Sequence, residues 1–318
     1  MTVQWFPGHM HATRKAIGER LKAGIDVVIE LLDARLPGSS SNPLLAEMTR
    51  GKAALKVLNK QDLADPERTA LWLAHFNALP DTRAIALDAS ERAPAQRLAA
   101  ACRELMPHRG GMDKPLRILI CGVPNVGKST LINTLVGKKA TKTGDEAGIT
   151  KNEQRINLDK GAYLFDTPGM LWPKIIVPQS GFHLAAAGSV GHNAYDDEEV
   201  ALELLETLQP DYPGLIEARY KLPAGTAALK AEALLEAIAR QRGAVQAGGR
   251  VNLAKAAELV INDFRTGIIG RLTLETPAGF AAWQQAAEVV EAAHQARKQA
   301  MQEKRRSQWR GERTDGGD

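Results

Sequence analysis

The feature that most constrains the fold is an octapeptide near the middle of the chain, residues 122–129, which reads GVPNVGKS. It follows the apolar run RILIC and precedes the helical pattern STLINTLVG, so it predicts a strand, a glycine-rich turn and a helix in that order. In such a turn the backbone N–H groups surround phosphate groups, a lysine reaches the outer phosphates and a serine hydroxyl binds Mg²⁺. We therefore predict a nucleotide phosphate-binding loop in which Lys128 and Ser129 have these two roles. The loop comprises Pro124, Asn125, Val126, Gly127, Lys128, Ser129 and Thr130.

Around this loop, the first half of the chain alternates short apolar runs with helical stretches. Such runs are typical of strands in a parallel sheet that helices cover on both faces. We therefore predict an α/β fold with a mostly parallel, doubly wound sheet, which binds its ligand at the carboxyl ends of the strands. The predicted strands are 26–33, 53–59, 84–87, 116–122 and 162–166.

The tetrapeptide DTPG, residues 166–169, follows the last of these strands. By itself it occurs in many turns, but its distance after a phosphate-binding loop favours a nucleotide-binding role. We predict that Asp166 holds Mg²⁺ through water and that the N–H group of Gly169 lies beside the terminal phosphate.

The tetrapeptide NKQD, residues 59–62, follows the second predicted strand and indicates which base is bound. The Asp62 carboxylate can accept hydrogen bonds from both N1–H and the exocyclic amine of guanine, whereas adenine offers an acceptor at N1. A mismatch would leave buried polar groups unsatisfied, at about 1–3 kcal/mol each. We expect Asn59 to join the loops and the stem of Lys60 to lie on the base plane. The stretch LDAS, residues 87–90, loosely fits the last base-contacting loop, which assigns Ala89 and Ser90 to it.

The order of these motifs is unusual, because the base-reading loop precedes the phosphate-binding loop. A parallel sheet keeps its spatial strand order when the old termini are joined and the chain is opened elsewhere. We therefore predict a circularly permuted P-loop GTPase domain over residues 1–175, whose DTPG segment leads directly into the next domain. That arrangement lets the next domain sense the terminal phosphate.

The second half of the chain has helical periodicity, so we predict a smaller all-helical domain over residues 176–296. Residues 297–318 form a basic tail, expected to be disordered, with seven Lys or Arg against two Glu between residues 297 and 313. The helical domain and this tail are candidate RNA-binding surfaces, with Arg240, Arg242, Arg250, Arg265, Arg271 and Trp309 as candidate contacts.

Composition fits a cytoplasmic protein. Hydrophobic residues make up 44% of the 318 residues, and no apolar stretch approaches the length of a membrane span. The two cysteines, Cys102 and Cys121, lack the spacing of a metal site and are read as reduced core thiols. The net charge of +4 is modest for a nucleic-acid-binding protein, so the distribution of charge matters more than its total. We expect neither a membrane nor DNA as a partner.

Taken together, the motifs identify a family. The chain resembles the circularly permuted ribosome-assembly GTPases of the YlqF/RbgA type over roughly residues 3 to 276. The matching stretches are WFPGHMHAT (5–13), DARLPGSSSNP (33–43), NKQDL (59–63), GVPNVGKSTLIN (122–133), DTPGMLWP (166–173) and VINDFRTGIIGRLTLE (260–275). The resemblance implies a GTPase that binds the large (50S) ribosomal subunit precursor late in assembly and touches ribosomal RNA, with GTP hydrolysis driving release.

The residues that complete catalysis follow partly from this resemblance. Thr150 is the expected ligand of Mg²⁺ and the γ-phosphate, although Ala147 stands where such proteins usually have proline. Where many GTPases have a glutamine that orients water, this chain has Met170, which cannot do so. We therefore predict slow intrinsic turnover, completed by another group or by the ribosome.

Two residues are candidates for that completing role. Asn125 matches the residue that helps to hold K⁺ in potassium-activated GTPases, and a solvent-facing loop residue is the alternative. His9 could orient the attacking water, with an RNA-contacting or structural histidine as the alternative. The expected catalytic set is His9, Lys128 and Thr150, with Ser129, Thr150 and Asp166 as Mg²⁺ ligands.

Two classes of function remain open on the sequence. The first is a ribosome-assembly GTPase. The second is a GTP-responsive RNA-binding or signalling module whose hydrolysis is incidental. The residues support GTP binding directly, and the ribosome enters only through the resemblance.

Overall fold

The computed structural model of the chain describes residues 8–111, 113–137, 154–159, 161–246 and 248–314. Side chains are described for these residues except His9, Gln154, Asp159 and residues 304–314. Thr150 and Ala147 therefore lie outside the described residues.

A six-stranded sheet forms the centre of the first half, with the strand order β3-β2-β1-β4-β6-β5. Five strands are parallel, and β5 pairs antiparallel with β6 at one edge. The predicted parallel α/β fold is thus confirmed, and β5 is the strand that the sequence analysis missed. The strands are β1 (Val27–Asp33), β2 (Ala53–Asn59), β3 (Thr82–Leu87), β4 (Leu116–Gly122), β5 (Gln154–Asp159) and β6 (Ala162–Asp166).

The register of the sheet brings the predicted motifs to one edge. Asp33 at the end of β1 pairs with Asn59 at the end of β2, and Asn59 pairs with Leu87 at the end of β3. The strand β4, which leads into the phosphate-binding loop, lies between β1 and β6. The base-reading loop therefore lies at the same edge of the sheet as the phosphate-binding loop, although the base-reading loop comes first in the chain.

Helices cover the central strands of the sheet: every residue of β1 is buried, and β4 and β6 are each buried at all but one residue. Asn42 and Asp65 cap α3 and α4 by accepting hydrogen bonds from backbone N–H groups of the first turn. The helices of this half are α1 (Gly8–Lys22), α2 (Pro37–Ser40), α3 (Pro43–Met48), α4 (Pro66–Asn77), α5 (Arg92–Leu105) and α6 (Lys128–Val136).

The second half consists of helices, as the periodicity predicts. Their buried faces are mostly apolar, and Gly267 ends the fifth of them in the left-handed conformation, with φ of 74°. Within the described ranges, no helix combines the length and the apolar character that crossing a membrane requires. The helices are α7 (Pro178–Ala186), α8 (Asp197–Leu208), α9 (Pro213–Tyr220), α10 (Ala231–Gln241), α11 (Leu253–Thr266) and α12 (Pro277–Thr314).

The two halves share one hydrophobic core, which runs from the sheet into α8 and α11. The segment after α11 returns to the sheet half, where the N–H group of Leu274 donates to the carbonyl oxygen of Arg35 at 2.7 Å. The indole of Trp72 donates to the carbonyl oxygen of Glu275 at 2.9 Å. Residues 272–275 thus belong structurally to both halves.

The last helix, α12, extends the fold beyond this shared core. Its backbone is helical as far as Thr314, where the sequence analysis expects a disordered tail from residue 297. Lys174 forms an ion pair with Glu291, which fastens the middle of α12 to the segment that leads into α7.

Candidate nucleotide-binding site

The phosphate-binding loop joins β4 to α6, as its sequence predicts. Gly127 occupies the turn with φ of 103°, and a Cβ atom there would lie 2.2 Å from Nδ2 of Asn59. Both the backbone conformation and the lack of space therefore require glycine. The turn leads directly into the N-terminus of α6, and the backbone N–H groups at a helix N-terminus favour an anion.

Lys128, the first residue of α6, is buried at the base of the loop. Within the part of the chain that the structure describes, its Nζ donates two long hydrogen bonds, at 3.4 Å to the carbonyl oxygen of Gly122 and 3.3 Å to that of Val123. Burial lowers the pKa of Lys128, and the charge of Asp166 opposes that effect. A buried ammonium group with weak partners is well placed to bind phosphate oxygens.

Asp166 ends β6 and is fully buried. Within the described part of the chain, neither carboxylate oxygen has a hydrogen-bond partner of good geometry. Burial raises the pKa of Asp166 to about 6, although the charge of Lys128 acts in the opposite direction. A buried carboxylate without partners fits a site for a divalent cation.

The segment after Asp166 packs closely on the phosphate-binding loop. A Cβ atom at Gly169 would lie 2.8 Å from Cα of Pro124, and the N–H group of Met170 donates to the carbonyl oxygen of Gly122 at 3.1 Å. The side chain of Met170 is buried, which is consistent with a packing role at this position. Asn42 adds a hydrogen bond from Nδ2 to the carbonyl oxygen of Met170 at 2.9 Å.

Asn59 bridges three loops, as its place at the end of β2 predicts. Its Nδ2 donates to the carbonyl oxygen of Val126 at 2.8 Å, and its Oδ1 accepts from the N–H group of Ala89 at 2.8 Å. The side chain of Ser90 turns back to Asp88, with both its N–H and its hydroxyl donating to Oδ1 at 2.8 Å. The weakly matched LDAS loop thus lies beside the base-reading loop.

Lys60 and Asp62 occupy the rest of that loop. Lys60 has a positive φ of 62°, and its Nζ donates to Asp33 at 2.8 Å and to the carbonyl oxygen of Asn125 at 3.2 Å. Burial lowers the pKa of Lys60, while the adjacent Asp33 raises it. Asp62 is exposed, so its carboxylate is accessible to a base.

Asp33 is a residue of this site that the sequence analysis did not single out. It accepts from Lys60 and also forms a two-point ion pair with Arg35, at 3.0 Å from Nε and 2.8 Å from Nη2. Burial would raise the pKa of Asp33, but the two cations outweigh burial and hold it well below its usual value. The sequence did contain a signal for Asp33: it is a carboxylate at the carboxyl end of a predicted buried strand, within the matched stretch DARLPGSSSNP, and such strand ends are where this kind of sheet binds ligands.

Asn125 lies at the tip of the phosphate-binding loop in the left-handed conformation, with φ of 56°. Its Nδ2 donates to the carbonyl oxygen of Gly188 at 2.8 Å, in the turn that follows α7. The side chain is therefore held by the helical half, and the alternative of a solvent-facing loop residue does not describe it.

His9 lies in the first turn of α1, and its side chain is outside the description. The next residue, Met10, is fully buried, and its Sδ accepts a hydrogen bond from the N–H group of Leu171 at 3.2 Å. The start of α1 thus packs against the segment that follows DTPG.

The fold and this site define a circularly permuted GTPase domain, in which the phosphate-binding, DTPG and base-reading loops meet at one edge of the sheet. A family model described as 50S ribosome-binding GTPase matches residues 117–202. The ribosome biogenesis GTPase A of Bacillus cereus is 41% identical to the chain over 287 residues, which cover 88% of this chain and 96% of that protein. The protein of the same name from Thermotoga maritima is 30% identical and covers 86% of this chain and 95% of its own length.

Solved structures show the same likeness. The crystal structure of GNP-bound YlqF from T. maritima matches with a TM-score of 0.58 at 25% identity, covering 84% of this chain and 98% of that chain. The GDP-bound structure of TM YlqF matches with a TM-score of 0.57 at 25% identity, covering 82% of this chain and 98% of that one. The chain belongs to the ribosome biogenesis GTPase A family.

Proposed function

We propose that this GTPase binds the precursor of the large ribosomal subunit late in its assembly, and that GTP hydrolysis releases it. The observation that carries the proposal is the direct path from the nucleotide site to the helical half. The DTPG segment contacts the phosphate-binding loop and continues through residues 170–177 into α7. A change at the terminal phosphate would therefore be transmitted to the helical half through this short segment.

The proposed nucleotide site assigns one role to each group. Lys128 neutralises charge on the outer phosphates, while the N–H groups of residues 125–130 and of Gly169 surround them. Asn59, Lys60 and Asp62 read guanine, and Ala89 and Ser90 complete that pocket. Ser129, Thr150 and Asp166 would hold Mg²⁺, which when bound supplies positive charge to the phosphates; the unpartnered carboxylate of Asp166 supports this assignment.

The hydrolytic step lacks a water-orienting side chain after DTPG, because Met170 is apolar and buried. We assign that role to His9, supported by the packing of Met10 against Leu171. Asn125 is the proposed ligand of K⁺, whose charge would act where other GTPases use an arginine. Neither His9 nor a K⁺ held by Asn125 replaces a glutamine fixed after DTPG. We therefore expect slow turnover until the ribosomal particle is bound and completes the site.

The proposed RNA-binding surface is narrower than the sequence suggested. The side chains of Arg240, Arg242 and Arg250 are exposed. Arg265 and Arg271 instead donate hydrogen bonds to backbone carbonyl groups within the chain. We therefore retain the first three arginines and the basic end of α12 as RNA contacts, and remove Arg265 and Arg271.

The test is the GTP turnover rate in potassium buffer, measured with and without purified large ribosomal subunits. Acceleration by the subunit is expected, since binding completes the hydrolytic site. An unchanged rate in protein that binds GTP would contradict subunit activation and favour the alternative of a GTP-responsive RNA-binding or signalling module. Small ribosomal subunits at equal concentration serve as the control for nonspecific RNA effects.

A further inference from the structure

The base-reading loop and the two residues that follow it form hydrogen bonds with the segment that follows α11. Arg271 donates from Nε to the carbonyl oxygen of Ala64 at 2.9 Å and from Nη2 to that of Gln61 at 3.1 Å. The N–H group of Leu272 donates to the carbonyl oxygen of Leu63 at 3.1 Å. The base-reading loop is thus bonded at three carbonyl groups to the C-terminal half of the chain.

Arg35 ties the same loop to the last turn of α11. Its guanidinium group is 1% exposed and donates from Nη1 to the carbonyl oxygens of Phe264 at 2.7 Å and of Arg265 at 3.3 Å. The remaining donors of the group pair with Asp33, which also accepts from Lys60. Because the guanidinium group is rigid and planar, a shift of the end of α11 displaces Asp33 and Lys60 together.

Arg265 extends this connection to the phosphate-binding loop. Its side chain donates to the carbonyl oxygens of Ala185 and Ala186 at the end of α7, each at 2.8 Å. The turn after that helix contains Gly188, whose carbonyl oxygen accepts from Asn125. The backbone of Arg265 therefore supports the base-reading loop, and its side chain supports the turn that holds the phosphate-binding loop.

We propose that Arg265 is a positioning residue for the nucleotide site, and that it makes nucleotide affinity depend on where the end of α11 lies. This inference rests on the site assigned under the proposed function. RNA that engages the helical half and displaces α11 would then change how tightly GTP and GDP are held. By thermodynamic reciprocity, bound nucleotide changes the affinity of the helical half for RNA by the same factor.

The first test compares Arg265→Met with the full-length parent by calorimetric titration with GDP, which reports Kd and stoichiometry separately. We expect Kd to rise by about five-fold or more, the lower range of coupling between sites. The matched control is Arg117→Met, which also removes a hydrogen bond from an arginine side chain to a backbone carbonyl group, that of Ala23, at the opposite end of β4 from the phosphate-binding loop. It is expected to lower the melting temperature with Kd unchanged. If Arg265→Met also lowers only the melting temperature, Arg265 is structural and the inference is wrong.

A second measurement does not depend on the variant being folded. Hydrogen exchange of the unaltered protein is followed at residues 264–268 with and without GDP. Slower exchange in the presence of GDP is expected, because nucleotide fixes the loops that Arg265 and Arg35 connect to this turn. Unchanged exchange under saturating GDP would overturn the inference.

The base preference of Asp62→Asn separates this inference from the site assignment. If that variant keeps the guanine preference of the parent, the assigned guanine site is wrong. If its preference changes while Arg265→Met binds GDP normally, the site stands and the positioning role of Arg265 fails.

Discussion

Asn59 donates from Nδ2 to the carbonyl oxygen of Val126 at 2.8 Å, which joins the base-reading loop directly to the phosphate-binding loop. The two residues are far apart in the sequence, and in the reverse of the usual order. Together with the hydrogen bond from Lys60 to the carbonyl oxygen of Asn125, it joins two motifs that the permuted chain order separates.

Replacing Asn59 should therefore weaken nucleotide binding more than it weakens the fold. Asn59→Ala removes the hydrogen bonds to Val126 and Ala89, and we expect the Kd for GDP to rise about ten-fold, equivalent to about 1.4 kcal/mol. The measurement is fluorescence titration with a labelled GDP. Asn77→Ala is the matched control, because Asn77 makes similar amide hydrogen bonds to Leu73 and Ala84 away from the site. Equal Kd values for the two variants would contradict the bridging role.

Asp62 is predicted to set base preference. Asn in its place keeps one acceptor but presents an N–H₂ donor, which suits the 2-oxo group of xanthine and opposes the 2-amino group of guanine. We expect Asp62→Asn to bind GDP at least about ten-fold more weakly and XDP more tightly than the parent. Asp65→Asn is the control, since asparagine can also cap α4. Unaltered GDP and XDP affinities in competition titrations would rule out this role.

Asp166 is predicted to destabilise the nucleotide-free protein at neutral pH. Its folded pKa of about 6 lies above the unfolded value near 3.8, so the protonated form favours folding and that contribution is lost as pH rises through 6. Asp166→Asn should therefore raise stability at pH 7.5 without Mg²⁺, by on the order of 1–3 kcal/mol, and the gain should vanish below about pH 4.

Thermal melts across this pH range, in the absence of nucleotide and Mg²⁺, measure the effect. The same substitution should also remove the enhancement of GDP affinity by Mg²⁺, since it removes the anionic ligand. The exposed residue Glu258 provides the control substitution Glu258→Gln. A melting temperature of Asp166→Asn equal to or below that of the parent at pH 7.5 would show that the buried carboxylate does not destabilise the nucleotide-free protein.

His9 is predicted to act in hydrolysis and not in binding. His9→Ala should bind GTP with the affinity of the parent, while subunit-stimulated turnover falls by about 10² or more. His11→Ala, two residues along the same helix, is the control. Single-turnover assays with saturating large subunits distinguish the outcomes, and stimulated hydrolysis that survives in His9→Ala would refute the assignment.

Much of the fold was predictable because its strands are continuous apolar runs that end in distinctive loops. The predicted strands 53–59, 116–122 and 162–166 agree with the observed bounds of β2, β4 and β6. The strand β5 was missed because its sequence, QRINLD, has only two apolar residues, whereas the predicted strands are continuous apolar runs. Edge strands that face solvent on one side give this weaker pattern.

The long-range part of the site was not predictable. Asp33 and Arg35 lie close together in the stretch DAR, but Arg35 also donates to a carbonyl group 229 residues further along the chain. Backbone carbonyl groups have no sequence signature, so neither Phe264 nor Gly188 could be assigned to the site in advance. For the same reason, the sequence predicted Arg265 and Arg271 as exposed candidates for RNA contact, because their backbone carbonyl partners have no signature in the sequence.

The final helix, α12, extends well beyond the compact core of the molecule. Its 38 residues correspond to about 57 Å, and the part beyond the ion pair between Lys174 and Glu291 accounts for about 35 Å of that length. The side chains from residue 292 to residue 303 are exposed, and most of the basic residues come later still. A partner that binds the basic end of α12 would hold the GTPase domain at a distance. The molecule would stay attached through the helix while its nucleotide-dependent part binds or leaves a second site a few nanometres away.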